Sequence, residues 1–295
     1  MPNVLAADQL SAEVSAWFTR CARDLPWRHP GTPAWSVLVS EVMLQQTPVV
    51  RVLPVYRQWL ERWPGPAELA AASPGEAVRM WGKLGYPRRA LRLHSCAAVI
   101  VQRHGGRVPS TLDDLLALPG VGAYTARAVQ AFAFGLRAAV VDTNVRRVLA
   151  RAVAGQGQAG APSAVRDLAA MEAVLPAADD AAAVFCAGMM ELGAVLCKAA
   201  TPSCTACPLR HRCAWQLAGS PGYDGPPVRP QRFTGTDRQV RGFLLDVLRG
   251  CTDPVPQAAL DVVWPEAAQR RRALDALVAD GLVAPLADGR YALPS

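Results

Sequence analysis

Leu118-Pro119-Gly120-Val121-Gly122-Ala123-Tyr124 is the stretch on which the reading of this chain turns. It joins two helical patterns, residues 111–117 and 124–134. Gly120 and Gly122 permit backbone angles closed to other residues and leave N–H groups uncovered by side chains. Such groups at the start of a helix can hold a phosphate without reading base sequence. An ordinary tight turn uses the same residues, so Gly120, Val121 and Gly122 point to phosphate only in company.

Working outward, the flanks are helical with short breaks. Residues 36–46 are apolar at helical spacing between Pro33 and Pro48, and 49–63 run to Pro64-Gly65-Pro66. Ser73-Pro74-Gly75-Glu76 is a helix start, with Ser73 as cap and Pro74 first in the helix. Residues 88–103 end at Gly105-Gly106, and 145–153 and 162–175 continue the pattern. No alternating strands occur, so this part is expected to be all-α. The run from Gly219 to Pro227, with its Pro226-Pro227 end, is a linker that suits neither helix nor central strand. Beyond it, 238–249, 257–263 and 267–279 read as helices. Residues 282–285 and 290–293 read as a hairpin. Together they predict a small winged-helix-like domain.

Of 295 residues, 51% are apolar and 19% charged, which excludes a wholly disordered chain. No uncharged stretch approaches the roughly 18–20 apolar residues of a membrane span. The first residues lack the pattern of a signal peptide, so a soluble intracellular protein is expected. The net charge is +7, carried almost wholly by arginine, since only Lys83 and Lys198 are lysines. Arginine forks suit phosphate. A GC-rich coding bias gives the same excess, and charge alone does not separate the two.

Eight cysteines without an export signal argue against a disulfide framework. Cys21, Cys96, Cys186 and Cys251 are scattered and read as small core residues. Cys197, Cys204, Cys207 and Cys213 follow the spacing C-x6-C-x2-C-x5-C. Four thiolates this close repel one another unless a metal or cluster takes them. Zinc accepts four thiolates. The uneven loops suit an iron–sulfur cubane at least as well.

Two carboxylates stand out. Asp142 follows the apolar run Ala138-Ala139-Val140-Val141 and precedes a helix, so it reads as an N-cap or as a carboxylate facing a developing cation. Asn144 can cap or can orient that carboxylate. Glu41 sits among Val37, Leu38, Val39, Val42, Met43 and Leu44. Either it occupies a wet stripe of its helix, or apolar walls suit it to general acid work.

Leu25-Pro26-Trp27-Arg28, the run from Ser40 to Thr47, Leu84-Gly85-Tyr86, Leu118 to Gly122, Val141 to Val148 and the four cysteines come in one order. Together they resemble the helix-hairpin-helix DNA glycosylases that carry an iron–sulfur cluster, and within them the adenine DNA glycosylases. The resemblance runs from about Leu25 to Trp215. It implies a mainly α, two-lobed fold. A six-helix barrel lobe would take 30–136, and a cluster lobe 1–29 with 137–218. A linker at 219–232 and a winged-helix-like domain at 233–295 would follow.

The resemblance also implies chemistry: double-stranded DNA as partner, an adenine mispaired with 8-oxoguanine or guanine flipped out and excised, and an abasic site left. Glu41 would protonate the base and Asp142 would stabilise the sugar cation, helped by Tyr124 and Asn144. Arg28 and Leu44 would line the adenine pocket, and Gln46 and Tyr86 would wedge into the stack. A [4Fe-4S] cluster would sit on the four cysteines. The lyase relatives place a lysine in the hairpin; Ala123-Tyr124 stands here, so a monofunctional enzyme is expected. A monomer, free of membranes and nucleoid-associated in a bacterial-type cytoplasm, completes the expectation.

Two departures matter. Pro87 follows Tyr86 where the family usually has a second tyrosine. Residues 233–295 are too short for the family's usual nucleotide-hydrolase-like domain, so they are read as a DNA-contacting module or as a cap on the cluster lobe. Two other readings remain open: a relative acting on another mismatch such as thymine opposite guanine, and a non-catalytic DNA-binding module.

Overall fold

The computed structural model describes residues 7–222 and 232–295. Residues 1–6, and 223–231 of the expected linker, lie outside the described residues. The helices, in chain order, are α1 (Ala7–Cys21), α2 (Ala34–Leu44), α3 (Val49–Arg62), α4 (Pro66–Ala71), α5 (Pro74–Trp81), α6 (Arg88–His104), α7 (Leu112–Leu116) and α8 (Ala123–Phe134). There follow α9 (Thr143–Ala152), α10 (Ala164–Glu172), α11 (Asp179–Val195), α12 (Ala214–Leu217), α13 (Asp237–Gly250), α14 (Gln257–Asp261) and α15 (Ala267–Ala279). Strands β1 (Val255–Pro256), β2 (Ala284–Pro285) and β3 (Arg290–Ala292) make one antiparallel sheet in the order β1-β3-β2. The fold is mainly helical, as expected, and among the described residues no helix is long and apolar enough to cross a membrane.

Local chemistry sets most boundaries. The Ser73 hydroxyl accepts from the Glu76 N–H at 3.3 Å, with Pro74 at the first helical position of α5. Gly105 and Gly135 end α6 and α8 in the left-handed conformation. α2 stops at Leu44, short of the expected 46, because Gln46 turns to φ +54°. α10 starts at Ala164, where the Ser163 hydroxyl accepts from the Arg166 N–H.

The chain divides into two compact units. One comprises the described residues within Met1–Val37, Ser110–Leu116 and Val121–Pro227. Its core gathers Leu10, Val14 and Trp17 of α1, Val145 and Val148 of α9, and Phe185, Met189 and Leu192 of α11. α11 reaches its neighbours through glycines. A Cβ on Gly188 would lie 2.8 Å from Val14 Cγ1, and one on Gly193 would lie 2.6 Å from Asn144 Cβ.

The other unit comprises the described residues within Leu38–Pro109, Ala117–Gly120 and Val228–Ser295. At its centre the buried Trp59 meets Trp63 edge-on at 4.7 Å and Trp81 at 5.7 Å. Such pairs contribute about 0.5–1.5 kcal/mol beyond the area they bury.

This grouping divides the chain differently from the sequence reading. α8 falls with the cysteine-bearing residues. The terminal residues 233–295 group with residues 38–109 rather than with the cysteines. Their α13 lies against α5, where Arg249 Nε donates to the Val78 carbonyl at 3.1 Å. Two of the scattered cysteines also differ from expectation: Cys96 and Cys186 are buried, whereas Cys21 and Cys251 are exposed.

Candidate active site

Glu41 is buried, 5% exposed, on a helix whose neighbours Val39, Ser40, Val42 and Met43 are buried too. It occupies no wet stripe, because α2 has none at this level. The helix ends in two residues singled out above: Leu44 is half-buried and Gln46 exposed. Across the same unit, Tyr86 is 47% exposed with φ +48°. Gln46 and Tyr86 are thus both held in a left-handed backbone that costs a side-chain-bearing residue of order 1–3 kcal/mol.

Arg89 holds both turns, and sequence reasoning assigned it no role. Its side chain is buried on the apolar face of α6 with Ala90 and Leu93. Nη1 donates to the carbonyls of Val42 (2.8 Å), Met43 (3.1 Å) and Gln45 (2.6 Å). Nη2 donates to Thr47 Oγ1 (2.9 Å) and to the Gly85 carbonyl (3.1 Å). The guanidinium also lies over the rings of Trp81 and Tyr86. Burial pushes its pKa down to about 10, so it stays protonated at neutral pH. The available signal was a charged residue on an otherwise apolar stripe.

In the other unit, Asp142 caps α9. Its Oδ1 accepts from the Val145 N–H at 2.7 Å, and its Oδ2 accepts from Asn144 Nδ2 at 2.8 Å. Arg147 Nη2 in turn donates to Asn144 Oδ1 at 2.8 Å and to the Gly193 carbonyl at 2.7 Å. Burial lifts the Asp142 carboxyl above its ordinary pKa, while the two donors and Arg147 pull it back. Asp142 is thus half-buried, fixed at both oxygens and backed by a cation. The capping and the functional readings hold together. Tyr124 of α8 is half-buried beside the same core.

Arg28 is strongly engaged. Nη2 donates to Glu191 Oε2 at 3.0 Å, and the guanidinium lies 5.3 Å from the Phe18 ring centre. Nη1 is buried without a hydrogen-bond partner. Glu191, fully buried on α11, also takes a fork from Arg23 at 2.6 and 2.7 Å. Although burial opposes it, the Arg23 and Arg28 guanidiniums hold its carboxyl below the usual range. Glu191 was missed because its partners lie more than 160 residues away.

The hairpin glycines differ. Gly120 has φ +79°, and a Cβ there would lie 2.8 Å from Arg92 Cβ. Gly122 precedes α8 with φ −96°, and a Cβ there would meet nothing within 4 Å. No side chain at Gly122 caps α8. Val121 between the two glycines is buried.

Cys197, Cys204, Cys207 and Cys213 line one cavity together with Arg151, Arg210 and Trp215. Burial, reinforced by the neighbouring cysteines, pushes the Cys207 thiol up to about 12, and Cys204 and Cys213 move the same way. Cations surround the group. Arg151 Nη1 lies 3.6 Å from Cys197 Sγ and donates to the Lys198 carbonyl at 2.7 Å; Arg147 Nε donates to the Cys197 carbonyl at 2.6 Å. Among the described residues no three His, Cys, Asp or Glu side chains converge tightly enough for a single metal ion.

A family profile described as "HhH-GPD superfamily base excision DNA repair protein" matches residues 39–170. An adenine DNA glycosylase of Mycobacterium tuberculosis is 55% identical over 295 residues, covering 99% of this chain and 96% of the relative. One of Mycolicibacterium smegmatis is 57% identical over 282 residues, covering 95% and 94%. Among solved structures, a thermostable thymine-DNA glycosylase superposes with a TM-score of 0.64 at 26% identity, over 72% of this chain and 97% of that one. The chain therefore belongs to the HhH-GPD superfamily of base excision DNA repair proteins, and within it to the adenine DNA glycosylases.

Proposed function

We propose that this chain extrudes an adenine mispaired with 8-oxoguanine or guanine from duplex DNA, hydrolyses its N-glycosidic bond and leaves an abasic site. An adenine stacked in a duplex is out of reach, so unstacking comes first. Gln46 and Tyr86, exposed on their strained turns, suit the wedge that fills the gap. Gly120, Val121 and Gly122 offer backbone N–H groups to a phosphate. Leu44 and Arg28, each on its own unit, are read as contacts to the adenine, and the partnerless Arg28 Nη1 is a donor suited to a purine nitrogen.

Bond breaking leaves electrons on the base and positive charge on the sugar. Glu41 donates a proton to the base, a role its burial supports. Asp142 stabilises the oxocarbenium-like sugar, following the two-carboxylate logic of glycoside hydrolysis. The observation that carries the reading is Asp142 itself: both oxygens are fixed by donors, and Asn144 and Arg147 prevent its reorientation. Tyr124 stands where lyase relatives hold a lysine, so no covalent strand-cleaving step follows.

The four cysteines suit a [4Fe-4S] cluster, because they line one cavity and four thiolates can each take one corner iron. Its chemistry there is to cross-link residues 197–213 as a rigid anionic centre, balanced by Arg147, Arg151 and Arg210. The protein is read as a monomer acting on cytoplasmic, nucleoid-associated DNA.

The test is a set of duplexes with one adenine opposite 8-oxoguanine, guanine, cytosine or thymine, scored for abasic sites. Excision is expected opposite 8-oxoguanine and guanine. Glu41→Gln should lose roughly 10²–10⁴-fold in rate while still binding the duplex; near wild-type turnover would remove Glu41 from the mechanism. The solved thymine-DNA glycosylase favours a second reading, so thymine opposite guanine belongs in the same series. Iron and sulfide analysis decides the cofactor, with zinc in their place as the contrary outcome.

A further inference from the structure

The terminal domain looks like a second DNA-binding arm, but its charges argue otherwise. Residues 232–295 hold eight arginines and eight carboxylates, so they are neutral while the remaining chain carries the whole +7. The arginines are largely spent inside the domain: Arg241 pairs with Asp280, Arg270 with Asp261, Arg272 with Asp237 and Arg290 with Asp288. A phosphate-tracking arm needs surplus cations.

The domain's outward contacts fall instead along one stretch of its own unit. The Gly75 N–H donates to the Pro294 carbonyl at 2.7 Å, and a Cβ on Gly75 would lie 2.4 Å from that oxygen. Arg249 Nε reaches the Val78 carbonyl, and Arg79 Nη1 reaches the carbonyls of Leu248 and Arg249. Lys83 Nζ lies 3.3 Å from Asp246, and Arg88 Nη1 lies 3.1 Å from Asp280. The last two contacts bracket Tyr86, a residue in an unfavourable left-handed backbone.

We propose that residues 233–295 brace the 82–88 turn from outside, while Arg89 holds it from inside. The domain sets the position of Tyr86 and so acts on base extrusion without touching the duplex phosphates. Lys83, Arg88, Asp246 and Arg249 are positioning residues in this scheme. The inference rests on the reading of Tyr86 as a wedge.

The experiment uses the full chain and a duplex with the fluorescent purine 2-aminopurine at the flipped position. Wild type, Arg249→Ala, Tyr86→Ala and the double variant are compared by extrusion amplitude, single-turnover excision and affinity for an undamaged duplex. Arg249→Ala is expected to lower extrusion and single-turnover rate about tenfold, with undamaged-duplex affinity within twofold. In the Tyr86→Ala background the same change should add nothing, because both act through one side chain. Additive losses, or no loss from Arg249→Ala, overturn the brace. No loss from Tyr86→Ala overturns the wedge reading beneath it. If Arg249→Ala melts near assay temperature, Asp246→Asn, at a half-exposed site, replaces it with the same expectations.

Discussion

Glu191 and Asp142 are both carboxylates on the cysteine-bearing unit, yet their surroundings push them in opposite directions. Two guanidiniums lower the Glu191 pKa, so its ion pairs stabilise the fold above the unfolded value of about 4.3. That contribution is lost as pH falls through the lower folded value. Thermal melts should therefore fall below about pH 4 in the wild type, and Glu191→Gln should flatten that dependence. Glu191→Ala at neutral pH leaves Arg23 and Arg28 unpaired and should cost about 3–5 kcal/mol. Asp142 has the opposite sign, because its raised pKa means that ionisation in the folded state costs stability. Asp142→Asn keeps an acceptor for the Val145 N–H but sets an amide against Asn144 Nδ2. Its stability should stay within about 1 kcal/mol of wild type while excision is lost. A large melting loss would mean that the carboxylate serves the cap alone. Asp142 was legible in the chain because its partners are two and three residues away. Arg89 and Glu191 were not, because main-chain carbonyls and distant arginines leave no local pattern.

The hairpin between α7 and α8 separates two uses of glycine. Gly120→Ala places a side chain at φ +79° and against Arg92, so it should destabilise by more than about 1 kcal/mol. Gly122→Ala meets no neighbour and has an ordinary backbone, so its melting temperature should hold. If a phosphate approaches that backbone, Gly122→Ala should nevertheless weaken duplex binding severalfold by anisotropy. Unchanged affinity would leave the turn without a ligand. Helices with local punctuation were readable: Ser73-Pro74 opens α5, and Gly105 closes α6. α11 was not, although it is one of the two longest helices. It is apolar nearly all round, as a central helix must be, and so shows no amphipathic stripe. β1 was missed because two residues have no period to read.

Charge is spread unevenly along the chain, and that has a measurable consequence. With no net charge in residues 232–295, duplex binding should depend on salt through the remainder alone. Arg271 of α15, exposed and without a paired carboxylate in the salt bridges of that helix, is the most informative position. Arg271→Gln should leave the slope of log affinity against log salt unchanged; a drop of about one would place a phosphate there. The family was visible from spaced motifs, since each is local. How the terminal domain is used was not, because it depends on which surface the domain covers.

Four of the five oxygens around Arg89 belong to main-chain carbonyls, which no codon change can remove. The side chains at positions 42, 43, 45 and 85 are thereby released from supporting that hub. Evolutionary drift should spare the guanidinium and roam among its acceptors, and a saturation library would show position 89 as intolerant even of lysine.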